Sequence, residues 1–400
     1  MKGSVFNSLG SNYLGKQALR HLFHGGSETD DLKLRQLLSK RFDGKAFLFY
    51  KGREALKQAL LAADLPKDSL VAINGFTCYA VDEAVTGAGY QNVYLDVDSE
   101  RLHFSADTLE QSIKDNRKIR AVIIQNTLGF ACDISAIEEI CRKHKLILIE
   151  DLAHSFGLVY PDGREAGTVG DYTMLSFGRD KCIDAVSGGA LIVRSKVADN
   201  WQRNLMRNGH NPTVWRQFVD RLYPFNTWTV RILYKSGLGK LKQVALRSLG
   251  FLPRATDGYF DGFTRLPNTY ARDILHLISE QAKDLKHREQ IAKVYMDVLP
   301  NDLIPEIVKK PAGKPVYLRF PIRVYEREIL LAKLKAEHIH ISDTWYDSPI
   351  APPRFMSKTA YNGQCPNSEK TCDELLNLPT HRNISVEQAR YLAERINSWL

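Results

Sequence analysis

The chain lacks any apolar run approaching the roughly 20 residues a membrane-spanning helix needs. Its opening, MKGSVFNSLGSNYLG, lacks the apolar stretch of a secretory leader. Cysteine is sparse and unpatterned: Cys78, Cys132, Cys141, Cys182, Cys365 and Cys372 form no CxxC pair. That spacing excludes a zinc ribbon and a disulfide framework, and reads as reduced thiols. No internal repeat or low-complexity segment is present. These absences lead us to expect a soluble, cytoplasmic protein without a metal site. Acidic residues are scarce in one stretch only: Pro212–Ala255 carries eight Lys and Arg against the single Asp220. The rest of the chain is nearly neutral, so the net charge of +9 gives no argument for nucleic-acid binding.

What is present is a strand–helix rhythm. With 400 residues and 44% apolar content, the chain is long enough for a large core and more than one domain. Short apolar runs occur at Ala46–Tyr50, Leu70–Asn74, Asn92–Leu95, Ala121–Gln125, Leu146–Glu150, Thr173–Phe177 and Ala190–Val193. Helical patterns lie between most of them, at Glu54–Ala63, Val81–Ala88, Thr108–Asp115 and Ile134–His144, and one precedes them at Asp31–Lys40. Alternation of this kind predicts an α/β fold with a seven-stranded, mostly parallel sheet covered on both faces. One long helix is predicted over Tyr270–Leu299, ended by Pro300. The expected division is a large domain over 1–285 and a smaller α+β domain over 286–400. The basic segment 212–255, with Trp215, Trp228 and three glycines, interrupts the large one. That segment shows no clean amphipathic face on a helical wheel. It is read either as a helical hairpin packed on a dimer or as a dock for an anionic membrane surface.

The chemistry-bearing residues fall at strand ends, where open α/β sheets bind ligands. Asp151 and His154 follow the strand at Leu146, and the next apolar run leads through Ser176 to Lys181 and the Gly188-Gly189 pair. A lysine and an acid so placed point to pyridoxal 5'-phosphate (PLP), which needs a lysine linkage and an acidic partner for its ring nitrogen. Gly52, between AFLFY and a helix, would let backbone N–H groups approach a phosphate. Taken singly, each has a plainer reading: a helix cap for Asp151, a packed histidine, a solvated lysine, an ordinary turn at Lys51–Arg53.

Together, GREAL, LGFACDISAI, IEDLAHSFG, VGDYTMLSFGRDK, SGGALIV, MRNGH and LNLPTHRNIS resemble, in order and spacing, the DegT/DnrJ/StrS-type sugar aminotransferases. These are PLP enzymes of fold type I, and the resemblance covers most of the chain. It implies that Lys181 binds the cofactor covalently and, once displaced, moves the proton between substrate and cofactor carbons. Asp151 would pair with the ring nitrogen and His154 with the 3-oxygen. Ser176, with the backbone of Gly52 and Arg53, would hold the phosphate. An amino acid, L-glutamate foremost, would be the donor and a keto sugar nucleotide the acceptor, in a homodimer serving glycan or polysaccharide synthesis.

Departures from the family pattern are few. Cys78 stands where the family stacks an aromatic on the cofactor, and Tyr79 next to it would point elsewhere. Lys51 and Arg53 replace the usual Ser and Thr of the phosphate turn. The loop that reaches a neighbouring subunit's cofactor is echoed only by Leu266–Thr269, which makes Asn268 the candidate there. Two rivals remain. A sugar dehydratase would carry histidine in place of Lys181. A PLP-binding sensor or scaffold without turnover would account for Cys78.

Overall fold

The computed structural model describes residues 4–23, 25–254, 260–341 and 346–400. Ala255, at the end of the basic segment, and Ser342 lie outside them.

The predicted strands all form, within a residue or two at each end. They are β1 (Lys45–Phe49), β2 (Leu70–Asn74), β3 (Gln91–Leu95), β4 (Ile119–Gln125), β5 (Ile147–Asp151), β6 (Tyr172–Ser176) and β7 (Gly189–Val193). They make one seven-stranded sheet in the order β1-β7-β6-β5-β4-β2-β3. Only β7 runs antiparallel to its neighbours, β1 and β6. Successive side chains alternate between the two faces, and both faces are apolar. Ala46, Leu48, Val122 and Ile124 enter one core, while Phe47, Phe49, Ala121 and Ile123 enter the other. This double burial is why the strands read as continuous apolar runs.

A third core gathers Ile291, Tyr295, Phe320, Leu376, Leu392 and Ile396 with Val5 and Phe76. Around it, β8 (Phe320–Arg323) pairs antiparallel with β9 (Leu375–Leu378). The single helix predicted over Tyr270–Leu299 is two helices, Asn268–Ser279 and Gln281–Val298, meeting at Glu280.

Register fixes where the chemistry sits. Gln125, Asp151 and Met174 are level on β4, β5 and β6, and Ser176 is level with Gly189. The sheet's carboxyl edge therefore presents Gln125 and Asp151 side by side, with Ser176 two residues further along β6. Glu150 and Asp151 point to opposite faces, and their roles divide accordingly. Glu150, fully buried, accepts N–H groups from Gly167, Val169 and Gly170 at 2.7–2.8 Å and the Tyr160 hydroxyl at 3.0 Å. It holds the loop between β5 and β6. Asp151 is left for the site.

Candidate functional site

Asp151 does not cap a helix. It ends β5 inside a turn, where its Oδ1 accepts the Ala153 N–H at 2.8 Å. Burial pushes its carboxyl up to about 6, against the pull of that N–H and of the Lys181 charge. A buried acid held this way favours a cation beside it.

Lys181 is half-buried in the loop between β6 and β7. Asp180 before it has a left-handed backbone, φ 61°. Asp184 ties the loop together: its carboxylate accepts the Asp180 N–H at 2.8 Å, the Val186 N–H at 3.2 Å and the Asn12 amide at 3.0 Å. The Tyr13 hydroxyl bonds to it as well. Burial lowers the Lys181 ammonium below its ordinary range, although Cys78, Asp151 and Asp180 pull it back up. A lysine held so keeps more of the neutral amine near pH 7 than an exposed one.

His154 is buried and neutral. Burial, with the nearby charges of Lys181 and Arg319, holds it well below its usual value. Its Nδ1 accepts the Leu128 N–H at 3.2 Å, which leaves the proton on Nε2, 3.3 Å from the Tyr346 hydroxyl. Cys78 caps the helix Tyr79–Gly87, with its thiol raised by burial and acted on by the charges of Lys181, Arg53 and Asp151. Tyr79 turns away and stacks on Phe355, ring centroids 4.5 Å apart.

The candidate phosphate turn is built where the ends of three strands meet. Helix α1 (Gly52–Ala63) begins at Gly52, and its N-cap, Lys51, supplies no side-chain cap to the first turn. A Cβ at Gly52 would lie 2.9 Å from the Ser176 Cβ and 3.0 Å from the Met174 Sδ, so only glycine lets the helix start this close to β6. Gly189 is as tightly placed, 2.6 Å from the Gly52 nitrogen by the same measure. Cations converge on this spot. Arg53 pairs with Glu83 at 2.5 Å, while its Nη2 is buried with no hydrogen-bond partner among the described residues. Lys51 is depressed to about 7 by burial and by the charges of Arg216 and Arg53. A helix N-terminus, a hydroxyl, an unpaired guanidinium nitrogen and crowded cations together suit a phosphate dianion. The residues present therefore fit the phosphate of PLP.

Arg216 comes from the basic segment, which folds as α2 (Val214–Ile232) and α3 (Leu238–Ser248). Helix α2 packs on the lysine loop itself. Its buried Asp220 accepts hydrogen bonds from Arg179 at 3.2 Å, Ser187 at 2.7 Å, Tyr50 at 2.5 Å and Tyr270 at 3.2 Å. Arg179, two residues before Lys181, also lies over the Tyr223 ring at 3.9 Å. Half of this segment is thus a wall of the site, a role that its charge and aromatics did not signal.

Gly52, Arg53, Cys78, Asp151, His154, Ser176 and Lys181 come together as the sequence reading grouped them. Asn268 stands apart: it starts its helix with its backbone against Gly26, and none of its described contacts is with this group. Sequence reasoning missed Tyr346, Arg319 and Arg216. No local pattern marks them, because they reach the site from distant parts of the chain.

Fold and site define an α/β protein in which a lysine, an acid and an anion-binding turn converge at the sheet's carboxyl edge. The chain belongs to the DegT/DnrJ/EryC1/StrS aminotransferase family, matching it over residues 44–397. It is 26% identical over 348 residues to the GDP-perosamine synthase of Escherichia coli O157:H7, covering 87% of this chain and 84% of that one. It is equally similar, 26% over 348 residues, to a pleiotropic regulatory protein of Geobacillus stearothermophilus (86% and 82% covered). Its fold matches Spr1654 of Streptococcus pneumoniae in that protein's PMP form, with a TM-score of 0.75 at 16% identity over 100% and 98% of the two chains.

Proposed function

We propose that this enzyme, as a homodimer, transfers an amino group from an amino acid, L-glutamate foremost, to a keto group on a nucleotide-activated sugar, with PLP held at Lys181. The observation that carries the reading is the convergence of Lys181, Asp151 and the phosphate turn at one sheet edge. The family and the similarity to a GDP-perosamine synthase support the sugar as acceptor.

When bound, PLP supplies an electron sink for the carbon that carries the amino group. The chain does the rest. Ser176, the start of α1 and the Lys51–Arg53 cations bind the phosphate. Asp151 keeps a proton on the ring nitrogen, and His154 Nε2–H donates toward the 3-oxygen. Lys181 Nζ, with its pKa lowered by burial, takes and returns the proton at the reacting carbon. The β5–β6 loop, fixed by Glu150, keeps Asp151 and His154 in place.

A second reading, a PLP-binding regulator without turnover, is favoured by the regulatory relative and by Cys78 in place of a stacking aromatic. Absorbance spectra separate the two. Protein loaded with PLP is expected to show a visible band that Lys181→Ala abolishes and L-glutamate bleaches. A Lys181-dependent band that no amino acid bleaches would move the assignment to the regulator.

A further inference from the structure

The basic segment has a second face, away from the site. On the wheel of the whole segment no amphipathic face emerges, but the structure breaks it at Gly237, whose φ of 81° suits glycine. Taken alone, α3 is strongly two-sided. Leu238, Leu241, Val244 and the capping residue Leu249 are 57%, 69%, 57% and 65% exposed. At helical spacing they share an arc of roughly 140°. Gly239 and Leu246, on the opposite side, turn toward the protein. Exposed Lys240 and Arg247 border the apolar arc. At the hairpin's other end, Trp215 and Phe218 of α2 are exposed and cluster with Phe251, centroids 5.3 and 6.4 Å away.

Charge selects the occupant of this face. The segment's only acid, Asp220, is buried in the site, so every exposed charge here is positive, Arg221, Lys235 and Arg254 included. A second copy docked through the same face would set these cations against themselves, an arrangement that costs affinity. A negatively charged lipid surface instead neutralises them while taking up leucines and an indole. Among the described residues no helix is long and apolar enough to cross a membrane. Helix α3 is 11 residues long, about 16 Å, and suits lying in the plane of the headgroups.

We propose that the α2–α3 hairpin is a membrane dock that seats the enzyme peripherally on anionic lipid bilayers. The catalytic loop lies on the same hairpin's inner side, so the docked enzyme would work at the bilayer surface.

Vesicle flotation of the full-length, PLP-loaded protein tests this. We expect it to float with phosphatidylcholine vesicles containing phosphatidylglycerol, to stay in solution with phosphatidylcholine alone, and to be released by salt. The double variant Leu241→Ser/Val244→Ser should lower binding by at least about tenfold. Lys240→Glu/Arg247→Glu should lower it by about tenfold or more. Both should retain the wild-type visible band and oligomeric state. Tyr325→Ser, more exposed still but elsewhere, should change nothing. Absence of flotation, equal binding to both vesicles, or unchanged binding in the two double variants would overturn the proposal. So would dissociation of the Leu241→Ser/Val244→Ser protein into smaller species in sedimentation velocity, which would assign the face to a second copy.

Discussion

Replacing Asp151 by asparagine separates what this acid does for the fold from what it does for the site. In the cofactor-free protein its carboxyl is raised from an ordinary 3.8 to about 6, chiefly by burial. Between those values the folded state binds more protons than the unfolded chain, so stability falls as pH rises through about 6. The shift of about 2 units corresponds to about 3 kcal/mol. Asp151 is only 2% exposed, so solvent does little to reduce this. Asparagine cannot ionise, and any fixed cost of its amide is the same at every pH. The stability difference between Asp151→Asn and wild type should therefore drift toward the variant by about 2.5 kcal/mol from pH 4 to pH 7.5, or about 3 °C in Tm for a chain of this length. Calorimetric melts of both proteins without cofactor measure it. Adding PLP should reverse the trend, because a protonated ring nitrogen beside Asp151 makes the charged form the favoured one. A difference that is flat with pH in the cofactor-free proteins would refute the reasoning.

The proposed phosphate turn gives two further expectations. In Gly52→Ala the new Cβ meets Ser176 at 2.9 Å, so the helix start must shift, at a cost of about 1–3 kcal/mol. PLP should bind more weakly while pyridoxal, which has no phosphate, binds as before; equal affinity for PLP in both proteins, read by fluorescence titration, would remove the turn from the phosphate site. Lys51, depressed to about 7 in the fold, binds fewer protons folded than unfolded between about 7 and its usual 10.5, so it makes stability rise with pH over that window. Lys51→Met should flatten the rise and reduce the thermal stabilisation given by inorganic phosphate at pH 7. Identical phosphate shifts in the two proteins would count against the cation cluster.

Much of this was legible in the residues. Strands buried on both faces leave continuous apolar runs, so the sequence alone places all seven. The candidate site residues Asp151 and Lys181 follow such runs and Ser176 ends one, where the α/β arrangement puts ligands. Local pattern failed where two elements abut or a segment doubles back. Glu280 stays near helical geometry, so nothing in its neighbourhood announced the break between the two helices. The basic segment looked featureless because a single wheel superimposed α2 on α3.

The sequence by itself determined the sheet, the order of its strands along the chain and which residues stand at their ends, because side-chain period and burial are local properties. Only the tertiary structure decided that Tyr346 meets His154, that Arg216 crowds Lys51 and that Asp220 holds Arg179 two residues from Lys181. Those meetings join residues some 40 to 190 positions apart. Their energies arise from charges and dipoles in a buried volume that exists only once these distant segments have packed together at the sheet's edge.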